Sequence, residues 1–229
     1  MIIAQELFLI FNNYFNIKKA AFIIILSSFA VLNNTTPMKK NVLIIVFLIM
    51  QFGVIFAQNQ IEKDGVIVPK SMEFNNEKLV LNGYGTRSKA WLDLYVQALY
   101  LTVPSQDPQE ILDSETEMAI RIEIISKLVS SKKLTKALEN GFEKSCGDNL
   151  AIMQPKIDLF KNMLTDAIVD NDVFVLLYNP SEIAIEVYKN NLLKGKIPGS
   201  DFKKALFGIW LSDNPADDDL KNELLGLIK

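Results

Sequence analysis

The stretch Ile197-Pro198-Gly199-Ser200-Asp201-Phe202-Lys203-Lys204-Ala205-Leu206-Phe207-Gly208-Ile209-Trp210-Leu211 joins a strand end, a break and a helix in one run. Pro198-Gly199 stops extended backbone, because proline has no amide to give a ladder and glycine tolerates unusual angles. Ser200 follows as a helix cap, and Phe202, Leu206, Ile209 and Trp210 then recur at helical spacing along one side.

Upstream, Val173–Tyr178 and Ile183–Tyr188 read as a hairpin across Asn179-Pro180-Ser181, and Asn190-Asn191 turns the chain into Leu192–Ile197. Before them come two helices. Ser130 or Ser131 caps the first, with Leu134, Ala137, Leu138 and Phe142 on one stripe, and the second carries Leu150, Met153, Ile157, Phe160 and Leu164. Met118–Ile125 alternates Met118, Ile120, Ile122 and Ile124 with Arg121 and Glu123, so one face of that strand is expected to meet water. Trp91–Leu101 reads as a longer strand, with Leu92, Leu94, Val96, Ala98 and Tyr100 on one face. The other face mixes Trp91, Asp93, Tyr95, Gln97, Leu99 and Leu101, which suits the wall of a cleft. Val66–Val68 and Leu79–Leu81 read as short strands, and Asn82-Gly83-Tyr84-Gly85 as a tight turn. A last helix from about Ala216 carries Leu220, Leu224 and Ile228. Strands, two helices, strands, two helices is an α+β order in one domain, not the alternation of a parallel α/β fold.

The composition excludes several chemistries. The chain has no histidine, which removes imidazole acid–base work, Ser-His-Asp and Cys-His nucleophiles, and histidine metal sites. Its single cysteine, Cys146, allows no intrachain disulfide, CxxC pair or multi-cysteine zinc site, and reads as a small, partly buried side chain. No metal site and no cofactor are expected. A net charge of −3 with mixed signs argues against a nucleic-acid surface. Gly83-Tyr84-Gly85 is not a dinucleotide motif, since neither a third glycine nor a helix follows. Asp217-Asp218-Asp219 suits a capped helix start better than a calcium cluster.

The amino end is different in kind. Met38-Lys39-Lys40-Asn41 opens a run from Val42 to Phe56 that is apolar apart from Gln51 and ends at Ala57-Gln58. A positive start, an apolar run and a small residue before polar chain make a signal peptide over 38–57, cleaved after Ala57. The run is shorter than the roughly 20 apolar residues of a membrane span, although retention as an anchor is the rival reading. Residues 1–37 repeat the theme, so translation is expected to start at Met38 and to leave 1–37 as a dispensable extension. The mature domain is then 58–229, exported to the periplasm or beyond the cell, with no stable membrane anchor.

Several blocks in order carry a family resemblance: Gly65-Val66-Ile67-Val68-Pro69, Leu81-Asn82-Gly83-Tyr84-Gly85-Thr86-Arg87, Leu94-Tyr95-Val96-Gln97-Ala98-Leu99-Tyr100-Leu101, and Ile197–Phe202 followed by Ala205-Leu206 and Ile209-Trp210-Leu211. The mature region resembles the bacterial chalcone-isomerase-like family over nearly its whole length. The resemblance implies an open-faced β-sandwich, a large antiparallel sheet covered by a layer of helices, with a ligand cleft between the layers. It implies that Arg87 stabilises negative charge on a ligand and that Tyr95 binds or polarises it, as an Arg and a Tyr hold a carboxylate in plant fatty-acid-binding members. In the catalytic members a tyrosine and an asparagine follow on a helix. Asn140 matches the asparagine, whereas the tyrosine position falls near Lys133, which departs from the enzymatic pattern.

Each residue also has a plainer reading. Arg87 can pair with an acid at a turn, Tyr95 can be an ordinary strand aromatic, Lys133 a solvated helix residue, and Asn140 a helix end before Gly141. Trp210 reads as core. If Arg87 faces inward it requires an anion, because an unpaired buried guanidinium costs several kcal/mol, on the order of a broken buried ion pair. The leading expectation is a non-catalytic binding protein for a fatty acid or similar amphipathic anion, with Arg87 and Tyr95 at the head group. The alternatives are an intramolecular lyase or isomerase using Arg87, Tyr95 and Asn140, and a structural partner in an envelope assembly.

Overall fold

The protein is described by a computed structural model for residues 60–228. The signal peptide, its cleavage point after Ala57 and the extension 1–37 lie outside the described residues. No helix among the described residues is long and apolar enough to cross a membrane.

Among the described residues, nine strands and five α-helices follow in order: β1 (Gln60–Lys63), β2 (Val66–Pro69), β3 (Ser71–Phe74), β4 (Glu77–Lys89), β5 (Leu92–Leu101), α1 (Pro108–Asp113), β6 (Met118–Ile124), α2 (Ser131–Cys146), α3 (Leu150–Asn162), β7 (Val173–Asn179), β8 (Ala184–Lys189), β9 (Leu192–Pro198), α4 (Ser200–Leu211) and α5 (Asp218–Leu224). Strands β3 to β9 form one antiparallel sheet in sequence order, and β1 and β2 pair separately. Sequential order follows from the connections: each strand returns beside its predecessor, and the helices are inserted between β5 and β6, between β6 and β7, and after β9.

The helices bury their apolar stripes on one face of the sheet. That core joins Leu99, Ile120, Ile122, Leu176, Ile185 and Ile197 of the strands to Phe142, Ile157, Phe160, Phe202, Leu206 and Trp210 of the helices. Each such side chain contributes about 1.5–3 kcal/mol by leaving water. Phe142, Phe160 and Phe202 meet as a triad where α2, α3 and α4 converge, with ring centroids 5.7–6.1 Å apart. Ser130 caps α2 as the spacing predicts, accepting from the Lys133 amide. At α4 the cap position falls instead on Gly199, whose φ of 111° suits only glycine, and Ser200 is the first helical residue.

The opposite face carries a second, smaller core. Val66 and Val68 of the β1–β2 hairpin pack against Leu79, Val96, Ala98, Tyr100, Ala119, Val175 and Leu177, and the Tyr100 hydroxyl donates to Pro69 O at 2.8 Å. The expectation that one face of β6 meets water is corrected here. Arg121 and Glu123 pair with each other and are 12% and 16% exposed, so the strand is largely shielded on both sides.

Two further corrections bear on the site. Asn82-Gly83-Tyr84-Gly85 is not a turn; it lies inside β4, where a register shift between Leu81 and Gly83 bends the strand. Trp91 lies outside β5, in the connection from β4, and is 88% exposed. The short helix α1, which the sequence reading omits, is tied down by Lys203 of α4. The buried Lys203 ammonium donates to the carbonyls of Ile111, Leu112 and Ser114, and its charge sits over the Tyr178 ring. Burial depresses its pKa to about 8.

Candidate functional site

The glycines of β4 decide how the site is built. A Cβ on Gly83 would fall 2.2 Å from Glu223 O and 2.3 Å from Leu224 O, and one on Gly85 would overlap the Glu223 side chain. Neither glycine has positive φ, so they are present for close approach and not for a turn. They let α5 lie directly on β4. Asn82 closes the carboxyl end of that helix, its Nδ2 donating to Leu224 O and Ser105 O at 2.9 Å each. The Glu223 carboxylate accepts from the Thr86 amide at 3.2 Å and from Lys63 Nζ at 3.3 Å, so a helix residue meets a backbone donor of β4.

Arg87 follows Gly85 on the same face of β4 and stands directly opposite Tyr95 of β5. The structure therefore brings these two predicted residues together as a cross-strand pair. Arg87 is not at a turn. Its Nη1 pairs with Asp217, the N-cap of α5, and donates to Ser88 O at 2.6 Å. The side chains of Arg87 and Asp217 are 22% and 20% exposed. The anion that an inward Arg87 requires is thus supplied from within the chain. Both contacts use one nitrogen of the guanidinium, leaving Nη2 and Nε without a partner among the described residues.

Tyr95 is buried in the helix-side core, and its hydroxyl accepts a hydrogen bond from Trp210 Nε1 at 3.3 Å. Burial raises the pKa of this phenol; the Trp210 hydrogen bond and the Arg87 charge oppose the rise, and the Asp217 charge adds to it. The hydroxyl is therefore neutral at ordinary pH. Its own proton finds no acceptor among the described residues, so it is available to donate.

Gln97 stands two residues farther along the same face of β5, opposite Gly85 on one side and Ile122 on the other. It is fully buried, and neither Nε2 nor Oε1 has a hydrogen-bond partner among the described residues. Leaving such groups unmet costs about 1–3 kcal/mol each. The sequence places Gln97 on the mixed face but gives no sign of this isolation. It likewise shows Asp217 only as a cap and Trp210 only as core, while the fold makes both direct partners of the Arg87–Tyr95 pair.

Asn140 is elsewhere. It is exposed in the interior of α2, not at a helix end, because α2 runs on through Gly141 to Cys146. It lines an open groove of about 680 Å3 with Phe142, Leu150, Gln154, Ile157 and Lys161, to which neither Arg87 nor Tyr95 contributes. Lys133 is exposed and donates to Leu128 O at 2.9 Å. Cys146 is buried, and burial pushes its thiol pKa up. Asp217 accepts from the Leu220 amide at 2.9 Å, the capping role expected of that acidic run.

A family model described as chalcone isomerase-like matches residues 60–226. The chain belongs to the chalcone isomerase-like family. Among solved structures, a fatty-acid-binding protein of Arabidopsis thaliana matches this family member with a TM-score of 0.56 and 16% identity, over 72% of this chain and 95% of that one. At that identity the likeness establishes the shared fold: an antiparallel sheet of seven strands with helices across it. Among curated protein sequences none matches this chain.

Proposed function

We propose that the mature protein is an exported, non-catalytic carrier that holds a fatty acid or similar amphipathic anion, with Arg87 and Tyr95 at the head group. The observation that carries this reading is the direct pairing of Arg87 with Tyr95 across β4 and β5, on the face that meets the helices. A guanidinium with Nε and Nη2 to spare presents donors in a plane that matches a carboxylate. The Tyr95 hydroxyl adds a donor without adding charge. Apolar side chains around them would take an acyl tail at about 0.8 kcal/mol per buried methylene.

Two facts favour binding over catalysis. Asn140 faces the groove of α2 and α3 and does not contribute to the Arg87–Tyr95 pair, and a lysine stands near the position where the catalytic members carry tyrosine. The binding role named for the Arabidopsis structure agrees with the carrier reading. Export rests on the signal-like run from Met38 to Ala57.

Lipid mass spectrometry of gently purified protein tests the carrier role. The expected result is one anionic amphipath per chain, lost in Arg87→Ala. Absence of any such ligand, or turnover of a chalcone well above background, would replace the carrier with the structural or the isomerase alternative. The mass of the native protein tests export: the expected amino terminus is Gln58, and any peptide from 1–37 would contradict the assigned start.

A further inference from the structure

Gln97 of β5 lies fully buried beside the Arg87–Tyr95 pair. Its carboxamide is fully enclosed, offers one donor group and one acceptor, and has neither satisfied among the described residues. Its neighbours on the sheet give it no partner: Gly85 has no side chain, and Ile122 and Leu99 are apolar. It shares a face with Tyr95, and residues two apart on a strand are separated by roughly 7 Å. A head group held at Arg87 and Tyr95 would therefore lie about one such step from Gln97, and a chain running along β5 from it would meet the carboxamide.

We infer that Gln97 is a specificity-determining residue of this site, and that the preferred ligand is an acid carrying a hydroxyl on its chain, set back from the carboxylate. This rests on the carrier reading and deepens it. A hydroxyl can donate to Oε1 and accept from Nε2 at once, which a methylene cannot do and a second carboxylate, having no proton, cannot do. A plain acyl chain lying against Gln97 would leave both amide atoms unmet. Sites that bury a polar group in this way discriminate strongly against analogues lacking the matching group.

The test is calorimetric titration of the mature protein, freed of lipid, with myristic acid and with its hydroxy derivatives bearing the hydroxyl near the head, at mid-chain and near the tail. The wild type is expected to prefer one hydroxy acid over myristic acid by roughly tenfold, the value of one net hydrogen bond. Gln97→Leu is expected to lose the preference and to bind the four acids alike. Gln97→Met serves if the leucine variant does not fold. Equal binding of all four acids by the wild type overturns the assignment of Gln97 and leaves the carrier reading standing. A preference that survives in the Gln97 variants does the same. Failure of the wild type to bind any of the four overturns the carrier reading, and the role of Gln97 with it.

Discussion

Asp217 divides its carboxylate between two tasks: one oxygen accepts from the Leu220 amide and caps α5, and the other pairs with Arg87 of β4. The last helix and the candidate site are thereby joined through one side chain. The Arg87 charge is balanced without a ligand, so an incoming anion must share or displace an internal partner.

Asp217→Asn tests that competition. Asparagine keeps the capping oxygen but carries no charge. The variant is expected to lose about 1 kcal/mol of stability or less, in keeping with a partly exposed ion pair, and to bind a fatty acid more tightly than the wild type. Chemical denaturation and titration calorimetry check the two halves. Weaker binding in the variant would mean that Asp217 helps to hold the ligand.

The seating of α5 on β4 predicts an unequal pair of glycine variants. In Gly83→Ala the added methyl meets backbone oxygens of Glu223 and Leu224, which cannot move without displacing the helix, whereas in Gly85→Ala it meets the Glu223 side chain. Overpacking costs about 1–3 kcal/mol, and Gly83→Ala is expected at or beyond the upper end, with Gly85→Ala milder. Thermal melts that place Gly83→Ala beside the wild type would show that α5 does not rest there.

Lys203 predicts a rise of stability with pH. Its pKa falls to about 8 in the folded protein through burial, against about 10.4 for an ordinary lysine. Between those values the unfolded chain binds more protons than the folded one, so stability grows as pH rises, by at most about 1.4 kcal/mol per pH unit. Tyr178 and Tyr188, both raised to about 12, act in the opposite direction above pH 10. Urea unfolding from pH 8 to pH 10 should show the rise in the wild type and lose it in Lys203→Met. The variant is also expected to be less stable at pH 7, where the carbonyls of Ile111, Leu112 and Ser114 lose their shared donor.

How far the sequence spoke for this structure depended on the kind of signal. Long periodic segments were legible: the stripe Phe202, Leu206, Ile209, Trp210 became α4, and the alternation of Met118 to Ile124 became β6. The four-residue strands Gln60–Lys63 and Ser71–Phe74 and the single turn-and-a-half of α1 are too short to show a period, and they were missed. Gly83 and Gly85 misled because glycine serves both turns and close contacts, and only the position of α5 distinguishes the two. At the site, the pairing of Arg87 with Tyr95 follows from register, but the partner Asp217 lies 130 residues away. The isolation of Gln97 depends on what surrounds it on neighbouring strands, which no local pattern records.

The most direct test of the carrier account uses Trp210, whose indole donates to the Tyr95 hydroxyl. The chain's other tryptophan, Trp91, is 88% exposed and can be replaced by phenylalanine to leave Trp210 as the sole reporter. Titrating Trp91→Phe protein with a fatty acid is expected to change the emission of Trp210 and to saturate at one ligand per chain. The change should be lost when Arg87→Ala is added. An emission spectrum that does not respond, or one that responds equally without Arg87, would contradict a head-group site at Arg87 and Tyr95.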